Sequence, residues 1–245
     1  MFFPFPHALT RGRFLRRMNR FVAEVELDGK PTRVHVPNTG RMTELLVAGR
    51  DVCLVPVDSP TRKTSYDLML VRYGKTWVCV DSRQANEVAW HILKHLAEGK
   101  GHGLPEPGHP LWELFSGITH VAREVVRSGH RFDFHLQRRG RAVWVEVKSV
   151  NLVIDGVALF PDAPTERGTD HVRMLAQLAD DGDQAHVLFI VQRDDARAFA
   201  PHAAMDPAFA QALAEAAGRG VHVHALGLRL APEGAYLQDV LPVQM

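Results

Sequence analysis

The feature that most constrains the fold of this chain is a change of sequence periodicity near residues 83–86. Before it, short segments alternate apolar and polar residues and are separated by turn signals such as Asp28-Gly29, which predicts five or so β-strands. That pattern is typical of a small closed or half-closed barrel. After it, segments with helical spacing alternate with extended segments, which predicts a mixed sheet covered by helices. The sequence therefore predicts a barrel domain at 1–85 and an α/β domain at 86–245.

The individual elements follow from the same periodicities. In the first domain the predicted strands are 21–27, 32–36, 51–57, 67–73 and 75–80, with a short helix at 43–47. In the second domain the predicted helices are 86–98, 119–128, 167–180 and 207–217, and the predicted strands are 132–137, 142–150, 157–160, 185–191 and 221–226. A Gly-, Pro- and His-rich stretch at 99–110 is predicted to be a linker-like loop.

The composition excludes several classes of protein. Hydrophobic residues make up 46% of the chain and charged residues 23%, which is typical of a globular protein and not of a disordered or fibrous one. Two cysteines, Cys53 and Cys79, are too few for a disulfide framework and indicate reduced thiols. The N-terminal apolar residues precede the arginines, unlike a secretory signal, and no run approaches the roughly 18 apolar residues of a membrane span. We therefore expect a cytoplasmic protein with no membrane partner, and the oligomeric state stays open, a homodimer included.

The formal charge of +1 hides an uneven distribution between the two domains. Residues 1–85 hold 14 Lys and Arg against 8 Asp and Glu, a net +6, whereas residues 86–245 hold 15 against 20, a net −5. The overall charge therefore says nothing against a nucleic-acid partner, because a basic domain is fused to an acidic one.

The basic residues of the barrel are concentrated in one run without an acidic residue. Its arginines are Arg11, Arg13, Arg16, Arg17 and Arg20. Such a run neutralises phosphates, and Phe14 within it could stack on a base. Nucleic acid is therefore the favoured partner, with Arg62 and Lys63 as a second basic spot. The alternative is a solvated basic strand or a tethered arm.

Residues 131–149 carry the chemically most informative pattern. Asp133 lies on a predicted strand, and after a turn the returning strand carries Glu146 and Lys148, which point to the same face because they are two residues apart. Hairpin pairing can place Asp133 beside Glu146, and two converging carboxylates are costly unless a cation neutralises them. A hard divalent cation, Mg²⁺ or Mn²⁺, does so through oxygen ligands and also activates a bound water.

This pattern predicts a metal-dependent nuclease of the PD-(D/E)xK type. Asp133 and Glu146 are the predicted metal ligands, and Lys148 would orient or deprotonate the attacking water. Glu124, on a predicted helix, would add an acid, and Gln192, after an apolar strand, would contact the water or a phosphate. The alternative is a structural ion pair between Lys148 and one of the two carboxylates.

Two other motifs have weaker implications. Residues 38–41 (NTGR) form a turn sequence that either offers amides and an arginine to an anion or is simply a barrel loop. His222 and His224 share a strand face, but without a third ligand they are expected to be surface or hydrogen-bonded histidines and not a zinc site.

Several sequence blocks together resemble the sugar fermentation stimulation protein family. The blocks are HVPNTGRMTELL (35–46), RKTSYDLMLV (62–71), VDSRQAN (80–86), RFDF (131–134), VWVEVKSVNL (143–152), FPDAPTERG (160–168) and VQRDD (191–195). The resemblance implies a bacterial, DNA-binding protein linked to regulation of maltose metabolism. Its implied fold is an N-terminal OB-like barrel followed by a restriction-endonuclease-like mixed α/β domain.

Residue by residue, the resemblance implies that Asp133, Glu146 and Lys148 form the nuclease-type core, with Glu124 and Gln192 as accessory positions. Asp162 and Glu166 belong to a family block, but the resemblance assigns them no role. His130 stands where a serine is expected before RFDF, and Asn151 stands where a threonine is expected.

Two functions are therefore expected. The first is sequence-nonspecific DNA binding, RNA not being excluded, combined with Mg²⁺-dependent phosphodiester hydrolysis. The second is a non-catalytic DNA-binding transcriptional regulator with a vestigial nuclease fold. A regulator that responds to a carbohydrate or small anion is a third class, which rests only on the family's name.

Overall fold

The computed structural model describes residues 1–99 and 116–245. The first part of the chain is mostly extended and ends in one helix. Its elements are β1 (Phe2–Pro4), β2 (Thr10–Asn19), β3 (Val22–Leu27), β4 (Lys30–His35), β5 (Asp51–Pro56), β6 (Tyr66–Tyr73), β7 (Thr76–Cys79) and α1 (Arg83–Glu98). The five strands predicted here are confirmed to within about two residues at each end. The predicted helix at 43–47 is wrong, because these residues form only a turn.

Strands β2 to β6 close into a five-stranded barrel. The pairing order is β4-β3-β2-β5-β6, and a parallel bridge between His35 and Asp67 returns β6 to β4. Apolar side chains alternate into the barrel and exclude water, and Phe14 is among them. The prediction that Phe14 could stack on a base is therefore wrong, because its ring is buried.

The second part of the chain forms a mixed sheet with helices. Its elements are β8 (Ile118–Arg127), β9 (His130–Arg138), β10 (Arg141–Val150), β11 (Leu152–Ile154), β12 (Val157–Phe160), α2 (Glu166–Asp180), β13 (Gln184–Val191), β14 (Ala198–Pro201), α3 (Pro207–Gly218), β15 (His222–Ala231) and β16 (Gly234–Leu241). The main sheet has the order β1-β16-β15-β13-β10-β9-β8, with β10, β13 and β15 parallel to one another. A smaller sheet has the order β11-β12-β14.

The main sheet is covered on both faces. One face packs against α1 and against β6 and β7 of the barrel, so that Leu70 and Leu188 belong to one continuous core. The other face packs against α2 and α3, through residues such as Leu175 and Phe209. The predicted fold class, a barrel followed by a mixed α/β domain, is confirmed.

One predicted helix in this domain, at 119–128, is wrong. The segment is the edge strand β8, paired antiparallel with β9. The spacing of its apolar residues is typical of one face of a helix, but in the structure these residues pack in two different cores. Val121 packs toward the α1 core and Val125 toward the α2 core.

Three further observations concern the chain as a whole. Strand β1 lies within the predicted barrel range of 1–85 but pairs with β16 of the main sheet. The predicted loop at 99–110 lies outside the described residues except for Gly99, which ends α1 in the left-handed conformation. In the described parts of the chain, the helices are too short or too polar to cross a membrane.

Candidate active site

The hairpin of β9 and β10 brings Asp133 and Glu146 together. Its pairing runs as far as Phe134 opposite Val145, and Asp133 and Glu146 are the next positions on the two strands. The Asp133 carboxylate accepts a hydrogen bond from the Val147 backbone N–H at 2.7 Å. Its other oxygen accepts one from the Asn86 side chain at 2.8 Å. Asp133 therefore links the end of the hairpin to the first turn of α1.

Glu146 is buried and only partly paired, with 4% of its surface exposed. Its Oε1 accepts hydrogen bonds from Lys148 Nζ at 2.6 Å and from His171 Nδ1 at 2.5 Å. Its Oε2 is buried without a hydrogen-bond partner among residues 1–99 and 116–245. An orphaned carboxylate oxygen inside a protein is costly and indicates a missing partner.

The two carboxyl groups have opposite pKa shifts. Burial, followed by the negative charge of Glu146, raises the pKa of Asp133 to about 6. Burial also tends to raise the pKa of Glu146, but the charge of Lys148 and the contact with His171 outweigh it, so that this pKa is lowered. Negative charge is therefore incompletely compensated at Asp133, which is the condition under which a cation binds.

The other two predicted catalytic residues lie apart from this pair. Glu124 is on β8 instead of a helix, and its exposed side chain forms an ion pair with Arg131 at 2.9 Å. Gln192 is fully buried, and its Nε2 donates to Ser149 Oγ at 2.8 Å and to the Asp81 carbonyl at 3.2 Å. Gln192 thus joins the barrel to β10, next to Lys148, and does not contact the carboxylates.

The structure adds two residues that sequence reasoning missed. Asn86 lies in the VDSRQAN block, which contributes to the family resemblance, but the resemblance assigns no role to this residue. His171 is on α2, and the only signal for it is its position on the buried face of that helix, two turns after the Thr165 cap. Both contact the carboxylates from elements far away in sequence.

Lys148 opens onto a cleft of about 540 Å³ between the two domains. The barrel contributes Arg20 and residues 38–40, α1 contributes Asn86, and β10 contributes residues 147–150, followed by Asn151. The opposite wall is formed by residues 159–167, which contain Asp162 and Glu166. Blocks that are distant in the sequence thus converge on a single cavity.

The barrel loop at this cleft is held from two sides. Arg17 Nη1 donates to the carbonyl oxygens of Gly40 and Arg41 at 2.8 and 2.6 Å. From the other domain, the Asp162 carboxylate accepts from the backbone N–H groups of Arg41 and Met42. A Cβ on Gly40 would collide with the Asp162 carboxylate, so a larger residue would fit there only if Asp162 moved. The sequence NTGR is thus a barrel loop that lines the cleft, and a role in anion binding stays a prediction.

The predicted DNA-binding residues have different surroundings. Arg17 is engaged with the loop, Arg62 pairs with Asp67, and Arg16 pairs with Glu24 at 2.9 Å. Arg20 lines the cleft and donates to the Thr39 carbonyl at 3.3 Å. The remaining three are exposed: Arg11, Arg13 and Lys63.

The histidines of β15 form a cluster with one histidine of β13. His224 Nε2 lies 3.1 Å from His186 Nδ1, and His222 stacks on His186 with ring centroids 4.8 Å apart. Burial lowers the pKa of His186 to about 2 and that of His224 to about 4. Across residues 1–99 and 116–245, the His, Cys, Asp and Glu side chains include no group of three arranged to hold a metal ion.

Comparison with known proteins agrees with this architecture. Residues 15–80 match the SfsA N-terminal OB domain, and residues 106–234 match the sugar fermentation stimulation protein RE domain. A sugar fermentation stimulation protein homolog of Natranaerobius thermophilus is 40% identical over 244 residues, which cover 99% of this chain and 97% of that protein. One of Caldanaerobacter subterraneus subsp. tengcongensis is 41% identical over 217 residues, 89% of each chain.

A solved structure, that of Pyrococcus furiosus SfsA in complex with Ca²⁺, has the same fold. It is 28% identical in sequence and superposes with a TM-score of 0.86, covering 99% of this chain and 98% of that one. The chain therefore belongs to the sugar fermentation stimulation protein family.

Proposed function

We propose that this protein binds nucleic acid and hydrolyses phosphodiester bonds with a divalent cation held by Asp133 and Glu146. The observation that carries the proposal is the buried, incompletely compensated carboxylate pair beside Lys148. Paired buried carboxylates without a cation are costly, whereas a hard cation bound by their oxygens removes that cost. The basic surface of the barrel supplies contacts to phosphates.

The residues present fit a hard divalent cation. Glu146 Oε2 is an orphaned buried oxygen, and both hydrogen-bond partners of Asp133 are neutral groups. With two carboxylates and the Val147 carbonyl as a third ligand, the ion would keep several waters, as Mg²⁺ usually does. The related Pyrococcus furiosus protein was solved in complex with Ca²⁺, which prefers the same oxygen ligands.

The chain's own residues would share the chemistry as follows. The bound cation lowers the pKa of a water and screens charge that develops on the phosphate. Lys148 lines the cleft and would orient that water or a phosphate oxygen, while its contact with Glu146 fixes its position. Asn86 and His171 are positioning residues, because each fixes the orientation of one carboxylate.

A non-catalytic DNA-binding regulator is the second candidate. The observation that favours it is that Glu146 Oε1 already has two close donors, Lys148 and His171, as a structural ion pair would. In that case the site would stabilise the fold and bind no cation.

A cleavage assay combined with calorimetry separates the two candidates. Duplex DNA, single-stranded DNA and RNA are incubated with Mg²⁺ or Mn²⁺ and wild type, Asp133→Ala or Lys148→Ala. We expect each variant to cut at least about 100-fold more slowly, and Mn²⁺ binding to be lost in Asp133→Ala but retained in Lys148→Ala. Glu124→Ala tests the accessory role predicted for that residue, and Glu215→Ala, an exposed carboxylate on α3, is the matched control.

Two results would contradict the nuclease proposal. If wild type cuts none of the substrates although Mn²⁺ binds at Asp133, hydrolysis is refuted and the cation site stands. If wild type cuts none of them and the Mn²⁺ titrations of wild type and Asp133→Ala are identical, the cation site is refuted as well and the regulator is favoured.

A further inference from the structure

We infer that the substrate of this site is single-stranded nucleic acid, which enters the interdomain cleft and stacks a base on Phe21 at its rim. The inference rests on the proposed function and specifies its substrate class. Two independent observations support it: the carboxylates are recessed, and an exposed aromatic ring lies beside an arginine of the cleft.

The first observation is the depth of the site. The Lys148 side chain is 13% exposed and lines the cleft together with residues 38–40 and 159–167. The Glu146 side chain is 5% exposed and contacts Lys148 without lining the cleft itself. The cleft volume of about 540 Å³ is in the range of cavities that enclose one small ligand, roughly 300–1,000 Å³. A duplex is stiff over about 150 base pairs and carries its second strand with it, so bending one phosphate into the cleft costs energy that a flexible single strand avoids.

The second observation is a ring available for stacking. Phe21, in the turn between β2 and β3, is 47% exposed, and the Arg20 guanidinium lies 5.8 Å from its ring centroid. The backbone around the ring is fixed, since Phe21 N–H donates to Asn19 Oδ1 at 2.9 Å and its carbonyl accepts from Val36 N–H at 2.8 Å. Exposed aromatic rings beside arginines are how proteins bind unpaired bases without sequence preference.

The cleft and the ring are connected by a basic groove. Arg20 lines the cleft, and with Arg17 and Arg41 it also lines an adjoining groove of about 540 Å³ on the barrel. Thr39 and Gly40 border both cavities. A strand with one phosphate near Lys148 would therefore reach Phe21 through Arg20, with Arg17 and Arg41 in the adjoining groove, which matches the charge of its backbone.

The test measures binding by fluorescence anisotropy at fixed salt, in Ca²⁺ and in EDTA. The probes are about 12 nucleotides of single-stranded DNA, the same length of RNA, and a blunt DNA hairpin of the same composition. We expect the wild type to prefer the single strands, and Phe21→Ala to bind them about 5- to 100-fold more weakly with no change for the hairpin. Phe21→Trp should retain the affinity, because it keeps an aromatic face.

Phe2→Ala is the matched control, since Phe2 is 44% exposed but lies on β1, in the other domain. Thermal unfolding of each variant establishes that it is folded. Equal wild-type affinity for hairpin and single strands, or equal affinities of Phe21→Ala and Phe2→Ala, would overturn the inference. The DNA and RNA arms identify which single strand is preferred.

The same probes distinguish failure of this inference from failure of the proposed function. If hairpin and single strands are cut at equal rates with Mn²⁺, the nuclease proposal stands and the single-strand inference fails. If single strands bind through Phe21 but are never cut, the strand path is supported and hydrolysis is refuted.

Discussion

Two aspartates, the buried Asp67 of the barrel and the half-buried Asp133 of the α/β domain, have opposite electrostatic surroundings. Asp67 in the barrel accepts hydrogen bonds from Arg62, from Arg83 at 2.7 Å and from His35 at 3.0 Å. Burial tends to raise its pKa, but these partners outweigh it and lower the pKa to about 2. Asp133 in the α/β domain has only neutral hydrogen-bond donors and a neighbouring carboxylate, and its pKa is raised to about 6.

The difference separates a structural carboxylate from one that lacks a partner. Asp67 is neutralised by groups of its own chain, so its negative charge stabilises the barrel. Asp133 is not neutralised in this way, so its negative charge destabilises the domain unless a cation binds from solution. Substitutions at the two aspartates and the addition of a cation test this contrast.

The first prediction concerns Asp67→Asn. It leaves Arg62 without its buried anion and Arg83 with Asp81 alone, so we expect the free energy of unfolding at pH 7 to fall by about 2–4 kcal/mol. Urea denaturation of wild type and variant measures it. A change in the free energy of unfolding below about 0.5 kcal/mol would mean that the ion pairs of Asp67 do not stabilise the barrel.

The second prediction concerns the addition of a divalent cation. At 100 times its Kd, Mn²⁺ should raise the free energy of unfolding by about 2.7 kcal/mol, because it binds only the folded protein. Thermal unfolding with and without Mn²⁺ measures the effect, and Asp133→Asn should show none. An equal rise in that variant would place the cation elsewhere.

The third prediction concerns Asp133→Asn in the absence of a cation. In the folded protein the Asp133 carboxyl has a pKa of about 6, whereas in the unfolded chain it releases its proton near pH 4. The free energy of unfolding of the wild type should therefore fall as the pH rises from about 4 to about 6. The variant should lack this slope and be about 1–2 kcal/mol more stable at pH 7. Its amide can still accept from Val147 N–H if the Asn86 amide turns over.

Urea denaturation between pH 4.5 and 7.5 tests the slope. The aspartate in the barrel should behave in the opposite sense, since Asp67 contributes stability above about pH 4 that is lost as pH falls toward 2. A destabilised Asp133→Asn with the wild-type slope would contradict the contrast between the two sites.

The smallest effect is expected for Arg16→Ala. Its ion pair with Glu24 at 2.9 Å is exposed, so the loss should change stability by less than about 0.5 kcal/mol. The same variant should reduce the salt dependence of nucleic-acid affinity by about one unit of the logarithmic slope if Arg16 contacts a phosphate. An unchanged slope would remove Arg16 from the binding surface.

Much of the fold could be predicted because local patterns matched the tertiary structure. The side chains of the barrel strands point alternately into and out of the barrel, and α1 and α2 each have one apolar face. The periodicity of these elements could therefore be recognised in the sequence. The edge strand β8 could not be recognised, because Val121 and Val125 are four residues apart but pack in two different cores. Glu124 lies between them with a left-handed φ of 56°, so the strand departs there from regular alternation.

Only the part of the candidate site that lies on a single hairpin could be predicted from the sequence. Asp133, Glu146 and Lys148 lie on one hairpin, so their grouping follows from strand pairing. Asn86 and His171 lie on two separate helices, and their distance from the hairpin in the sequence does not predict that they contact its carboxylates. Glu124 was misplaced together with its strand, since its predicted direction depended on a helix.

The pairing of β1 with β16 has a mechanical consequence for the cleft. The chain begins the main sheet with Phe2–Pro4, makes the whole barrel, and then returns through Asp81 to α1. The barrel is thus tethered to the α/β domain at both of its ends, and Gln192 joins the two near the second tether. Leu70 of the barrel and Leu188 of the main sheet also belong to one core, so that separating the two domains would expose apolar side chains to water. Widening the cleft therefore has an energetic cost, which opposes its opening for a bulky ligand.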